Sequence, residues 1–224
     1  MGEVKKDSGM QSIKVKVYGI TRVDPIKMAL DLGADFIGIN LYARSPRSVS
    51  LPRARKLIQS IPKGKRVVVD VAPTAGTLQS YQKIGFDYFQ VHFDLSVPLS
   101  SVAEWSDIVG PKRLWLAPRI PPRKWFPKKI LAYAETFLID TYHRGGYGGS
   151  GQTGNWTRFY KLKKRYPDKT FILAGGLSPD NIAGALACTK ASYVDVNSGV
   201  ESAPGLKDPD QLQAFFDGLP IYAS

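Results

Sequence analysis

The sequence predicts a single (β/α)8 barrel, and three observations carry that prediction. Short apolar runs alternate with helical or helix-like segments eight times within one domain length, 224 residues. Most runs are rich in Val, Ile, Phe or Tyr and lack clean polar alternation, as strands covered on both faces do. No shift in composition marks a second domain. A doubly wound open sheet is the alternative for the same alternation. Hydrophobic residues make up 43% and charged residues 22%, which excludes a disordered chain and leaves material for a sizeable core.

The strands are expected at Ile13–Tyr18, Asp35–Asn40, Arg66–Val71, Asp87–His92, Arg113–Pro118, Thr136–Asp140, Thr170–Ala174 and Tyr193–Asn197. Helical patterns lie at Pro25–Leu32, Arg53–Ser60, Thr77–Ile84, Trp156–Arg165, Pro179–Ala187 and Pro209–Gly218. Asp24, Ser178 and Asp208 each precede a proline, the pairing of an oxygen-bearing cap with a residue suited to the first helical position. Gly33 and Gly85 stand where C-terminal glycine caps belong. After the fourth and fifth strands the pattern blurs, with Pro118–Pro127 breaking any helix. Residues 1–12 are polar and read as a disordered leader, with the barrel running over 13–224.

Several function classes drop out early. No run approaches the ~20 apolar residues of a membrane span, and no apolar h-region opens the chain. Cys188 is the only cysteine, and His92 and His143 are the only histidines, so neither a disulfide framework nor a zinc site is expected. A reducing, cytoplasmic setting follows. Lys and Arg exceed Asp and Glu by 31 to 19, for a net charge of +12. Nucleic acid is the obvious partner for such a charge, but these cations are spread along the chain, and a general field that draws small anionic substrates is as plausible.

In a barrel the site forms where strands end. The seventh window, Ile172-Leu-Ala-Gly-Gly-Leu-Ser-Pro-Asp180, places Gly175 and Gly176 before a helix. The eighth, Asp195-Val-Asn-Ser-Gly-Val200, is a second small polar turn containing Asn197, Ser198 and Gly199. Together they suit a phosphate held by backbone N–H groups. Asp140 closes the sixth strand, where a carboxyl in a cleft can act in acid–base chemistry. The glycine-rich Gly145–Gly154 after it suits either a closing loop or a plain connector. In the second window Arg47 offers a planar fork for a carboxylate or phosphate.

Taken in order, Val17-Tyr-Gly-Ile-Thr-Arg22, Gly38-Ile-Asn-Leu-Tyr-Ala-Arg-Ser-Pro-Arg47, Phe89-Gln-Val-His92, Leu138-Ile-Asp140, Gly148-Gly-Ser-Gly151, Ile172-Leu-Ala-Gly-Gly-Leu177, Asp195-Val-Asn-Ser-Gly-Val-Glu201 and Pro204-Gly-Leu-Lys-Asp208 resemble the phosphoribosylanthranilate isomerase family. The resemblance implies a cofactor-free, metal-free barrel of tryptophan biosynthesis, acting on a small phosphorylated substrate as monomer or homodimer. It implies an Amadori rearrangement with Asp140 as acid, phosphate on Gly175, Gly176, Ser198 and Gly199, and Arg47 on the anthranilate carboxylate.

Three positions depart from the family pattern. Tyr18 stands where the family has its general-base cysteine. An ordinary phenol, with pKa about 10, is only ~0.1% ionised at pH 7, and the ring is bulky enough to fill the sugar's space. Asn197 replaces a serine, and Phe93 follows His92 where a glycine is usual, predicting a bulkier rim. Alternation places Val68, Asp70 and Ala72 on one face, expected to be the barrel interior, where Asp70 is either a substitute base or a hydrogen-bonding partner of Tyr18 or a loop N–H. The functions in view are therefore an isomerase using Asp140 with Tyr18 or Asp70, a lapsed barrel that still binds a phosphorylated ligand, and, third, a basic nucleic-acid binder.

Overall fold

In a computed structural model of the chain, residues 13–121, 123–140 and 156–220 are described. The expected leader and the glycine-rich segment after the sixth strand lie outside them. Eight parallel strands close into a barrel in chain order, β1 through β8. They are β1 Lys14–Tyr18, β2 Phe36–Asn40, β3 Arg66–Val71, β4 Tyr88–Asp94, β5 Leu114–Arg119, β6 Thr136–Ile139, β7 Thr170–Leu173 and β8 Tyr193–Val196. The open-sheet alternative is thereby excluded.

Helices α1 Asp24–Asp31, α2 Leu51–Leu57, α3 Ala75–Ile84, α4 Leu99–Val109, α5 Trp156–Arg165, α6 Ile182–Thr189 and α7 Pro209–Asp217 connect and cover the strands. Local chemistry sets several of their ends. Ser50 accepts from the Arg53 N–H and Thr74 from the Thr77 N–H. Asp208 accepts from both Asp210 and Gln211 N–H groups, as its place before Pro209 predicts. Gly85 ends α3 with φ of 102°, a conformation that favours glycine.

Four expected helices begin elsewhere, α3 among them at Ala75, two residues before Thr77, because Thr74 supplies its cap. α1 starts at Asp24 itself, with no side-chain cap. α2 starts two residues before Arg53, because Ser50 supplies the cap. α6 starts at Ile182, since Ser178–Asp180 form a turn tied off by Asn181. The blurred stretch after β4 holds α4, whereas only a 3-10 segment, Lys128–Ala132, follows the prolines after β5. One further element, an antiparallel hairpin of β9 Glu201–Ala203 and β10 Leu206–Lys207, lies outside the barrel.

Alternation along the strands sorts the core into two regions. Val15, Val17, Ile37, Ile39, Val68, Phe89, Val91, Leu114, Leu116, Phe137 and Val194 pack outward against the helices. Val67, Val69, Trp115, Leu138, Ile172 and Tyr193 fill the barrel, with Tyr18, Phe36 and Tyr88 against them. Phe36, Tyr88, Trp115 and Tyr193 form a cluster of rings with centroids 4.9–5.6 Å apart. That cluster leaves the C-terminal ends of the strands to hold polar groups.

Candidate active site at the mouth of the barrel

Opposite charges occupy the barrel interior beneath the mouth. Lys16 and Asp195 sit on the hydrogen-bonded neighbours β1 and β8, and their side chains meet at 2.8 Å. Lys16 is fully buried and Asp195 nearly so. Burial lowers the pKa of Lys16 and raises that of Asp195, and their mutual attraction opposes both shifts. Gly38 on β2 makes the arrangement possible. A Cβ there would come within 2.9 Å of Lys16 Cε and 3.2 Å of Tyr18 Cδ2.

Tyr18 stands directly above, its ring centroid 4.8 Å from Lys16 Nζ. It does not obliterate the site. A cavity of about 460 Å³ opens over it, lined among others by Asn40, Arg47, His92, Asp140 and Asn197. The orientation of the Asn40 amide is settled by a backbone group, because the Tyr42 N–H donates to Oδ1 at 2.8 Å. Nδ2 is then the atom that donates to Tyr18 Oη, at 2.5 Å, and to Ser45 Oγ, at 2.9 Å. Tyr18 thus accepts from Asn40 and keeps its own proton to give. Burial and the negative charge of Asp195 hold its pKa above the ordinary phenol value, Arg47 opposing.

Asp140 follows the last residue of β6 and lines the same cavity. Its charge acts on both Lys16 and Tyr18. His92, at the mouth on β4, pairs with Gln90 through Nε2 at 2.8 Å. Burial, reinforced by the charge of Lys16, lowers its pKa to about 3, so it is neutral near pH 7.

Two sequence expectations need correction here. Asp70 does not project into the barrel. Val67 and Val69 do, whereas Val68 packs outward among the helices. The Asp70 carboxylate accepts from Tyr81 Oη of α3 at 2.7 Å and from the Val71 N–H at 2.7 Å. Asp70 lines part of the cavity, and its side-chain partner is a helix tyrosine rather than Tyr18. Burial raises its pKa, with those two hydrogen bonds opposing. Phe93 likewise does not narrow the mouth, since it points outward and meets Trp105 edge-on at 5.6 Å.

The loops after β7 and β8 are brought together. Gly175 and Gly176 adopt φ of 93° and 66°. Asn181 fastens their loop by donating to the Gly176 carbonyl at 2.7 Å and accepting from the Ser178 N–H at 3.0 Å. Ser198 and Gly199 open a 3-10 turn, whose first N–H groups find no partner within it. A Cβ on Gly199 would lie 2.0 Å from the Leu177 carbonyl oxygen, so only glycine lets the loops approach this closely.

Arg47 lines the cavity and is held from behind. Its Nε donates to Glu201 at 2.9 and 3.1 Å, and its Nη2 at 2.6 Å. Lys207 joins the same carboxylate at 2.9 Å and reaches Asn197 Oδ1 at 2.8 Å. Burial by itself raises the Glu201 pKa, but the Arg47 hydrogen bonds and the charge of Lys207 outweigh it and bring the carboxyl below its usual value. Burial lowers Lys207 to about 8, against the pull of Glu201.

Comparison with known proteins decides the family. The family model described as N-(5'phosphoribosyl)anthranilate (PRA) isomerase matches residues 15–218. The chain belongs to the phosphoribosylanthranilate isomerase family. Curated N-(5'-phosphoribosyl)anthranilate isomerases from Pseudomonas fluorescens and Pseudomonas putida are 34% and 35% identical to it, over 94% and 92% of this chain and 97% of each relative. Phosphoribosylanthranilate isomerase from Thermotoga maritima superposes with a TM-score of 0.76 at 27% identity, covering 92% of this chain and 98% of that one. A further isomerase structure, in complex with reduced 1-(o-carboxyphenylamino)-1-deoxyribulose 5-phosphate, gives 0.70 at 25% identity over 92% of this chain and 97% of that one.

Beyond the residues singled out in the sequence, the structure adds Lys16, Asn40, Glu201 and Lys207. Lys16 and Asp195 left a readable signal, each being a charge between two valines in a strand. Nothing local marked Glu201 and Lys207 as partners of Arg47, which is 154 residues from Glu201. Among the described residues, no helix is long and apolar enough to cross a membrane, and no group of His, Cys, Asp and Glu side chains forms a metal site.

Proposed function

We propose that this protein isomerises N-(5-phosphoribosyl)anthranilate to 1-(2-carboxyphenylamino)-1-deoxyribulose 5-phosphate, in the cytoplasm, as monomer or homodimer. The observation that carries the proposal is one mouth lined by Asp140, Tyr18 and Arg47, with Asn197 leading into the paired glycine loops. The phosphate binds the N–H groups of Gly175, Gly176, Asn197, Ser198 and Gly199, where oriented amides favour an anion. Arg47 takes the anthranilate carboxylate.

Asp140, as the acid, gives its proton to the ribose ring oxygen. The C1–O bond breaks, and the anilino nitrogen supplies the electrons that make a C1=N iminium. That positive nitrogen acidifies the proton on C2. A base removes the proton, the C–H electrons form a C1–C2 enamine, and ketonisation completes the ketose. With the phenol of Tyr18 protonated, the carboxylate left on Asp140 is the stronger base in the mouth. Tyr18, oriented by Asn40, donates a hydrogen bond to a sugar oxygen. Asp70, engaged by Tyr81, takes no part.

Loss of substrate fluorescence tests both the reaction and these roles. Folded wild-type protein turns over the substrate, Asp140→Asn loses about 10²–10⁴-fold in kcat, and Tyr18→Phe retains most of kcat while KM rises. Absence of turnover by folded wild type would overturn the reaction. If Tyr18→Phe fell as far as Asp140→Asn, Tyr18 would be the base instead. A large gain in Tyr18→Cys would show an otherwise complete site in which the phenol limits the rate.

A further inference from the structure

The hairpin β9–β10 lies outside the barrel, yet it sends two charged side chains inward to the mouth. Side-chain exposure is 3% for Glu201, 1% for Lys207 and 12% for Arg47. Glu201 receives four donors: Arg47 Nε, Arg47 Nη2, Lys207 Nζ and the Gly205 N–H at 3.2 Å. The Gly205 carbonyl in turn accepts from Thr21 Oγ1 at 2.8 Å, tying the hairpin to the loop after β1. The hairpin thus joins the segments that follow β1, β2 and β8.

A bidentate contact fixes the plane of a guanidinium, which a single contact does not. Glu201 takes the edge formed by Nε and Nη2, and among the described residues nothing accepts from Arg47 Nη1. Because Lys207 shares the carboxylate, the three side chains carry a net positive charge rather than cancelling. Gly19 completes the setting, since a Cβ there would lie 2.8 Å from Arg47 Cδ and 2.5 Å from Asn197 Oδ1. Arg47 is therefore both oriented and left cationic at the cavity wall.

We propose that Glu201, with Lys207 sharing its charge, is a positioning residue that aims the free edge of Arg47 at the substrate's aryl carboxylate and so makes the site prefer carboxylated over uncarboxylated arylamino sugar phosphates. This role presupposes that Arg47, as proposed for the isomerase, meets that carboxylate. Glu201 itself touches no substrate atom.

Equilibrium binding tests it apart from turnover. The probes are reduced 1-(o-carboxyphenylamino)-1-deoxyribulose 5-phosphate, the same compound without its carboxyl group, and inorganic phosphate. Wild type binds the carboxylated probe more tightly than its counterpart. Glu201→Gln weakens the carboxylated probe about tenfold, the scale of a charge-assisted contact losing its geometry, and leaves the other two within about twofold. Glu201→Asp, which keeps the charge but shortens the reach, falls between, and serves as well should Glu201→Gln fold poorly.

In turnover the same change raises KM more than it lowers kcat. An unchanged preference in Glu201→Gln, equal weakening of all three probes, or no preference in wild type would each overturn the proposal. If wild type shows the preference but no isomerisation, the reaction fails while the positioning role stands.

Discussion

A lysine at full burial survives in this barrel because a carboxylate from the adjacent strand meets it. Isolated, either charge would cost several kcal/mol, and the pair is tolerable only while both members remain. Asp195→Asn leaves the Lys16 ammonium facing an amide between the valine-rich walls of β1 and β8. The expected loss is about 3–5 kcal/mol in a urea unfolding series. The double variant Lys16→Met, Asp195→Leu, which removes both charges, recovers most of it. A single variant as stable as wild type would show that water reaches the pair. The sequence displayed both charges, but their pairing depends on barrel closure, which sets Lys16 beside Asp195 across 179 residues. Asp70 shows the reverse difficulty. Counting alternation from the end of β3 put it on the wrong face, because the inward set in this strand is Val67 and Val69. A buried carboxylate can be satisfied as well by a helix tyrosine as by a site, and residue type alone does not tell the two apart.

At the scale of elements, the phosphate-binding proposal rests on two loops that share one geometry. The pairing of β7 with β8 is short, Leu173 opposite Val194, and beyond it the chains approach through Gly199 and the Leu177 carbonyl. Gly199→Ala must push them apart, because backbone cannot yield as a side-chain tip does. The N–H groups of Ser198 and Gly199 then move relative to Gly176. Inorganic phosphate affinity is expected to fall about tenfold or more, measured by calorimetry, while the far-UV circular dichroism of the barrel is kept. Unchanged phosphate affinity would remove this pair of loops from the phosphate site. Both loops were legible in the sequence as small polar windows after strands, and the structure brings Gly199 against the Leu177 carbonyl, beside the Gly175–Gly176 turn. The start of α6 was not, because Asn181, rather than Ser178, closes the turn through two side-chain hydrogen bonds. The β9–β10 hairpin escaped notice for a similar reason. Its strands are three and two residues long, too short for periodicity to register.

The barrel itself was the most legible feature, since eight buried parallel strands impose a repeated apolar signature that single substitutions do not erase. The net charge of +12 was equally plain, and its effect belongs to the molecule as a whole. Part of the excess is concentrated. The segment carrying Arg123 and Lys124 meets α5 through Arg158, which donates to the Pro121 and Lys124 carbonyls, and α5 also carries Lys161, Lys163, Lys164 and Arg165. The mouth adds the net positive group of Arg47, Glu201 and Lys207. A substrate with a phosphate and a carboxylate approaches such a molecule down a favourable potential, and salt screens that attraction over about 10 Å at 0.1 M. The expected outcome is a kcat/KM that falls several-fold between roughly 0.02 and 0.5 M salt. Because screening acts on encounter, kcat at saturating substrate stays nearly constant. Neutralising Lys161, Lys164 and Arg165 together lowers kcat/KM at low salt and flattens the salt dependence, although these side chains belong to the helix layer rather than the mouth. A kcat/KM indifferent to salt would mean that the excess charge serves no part in substrate capture, leaving affinity to the mouth residues alone.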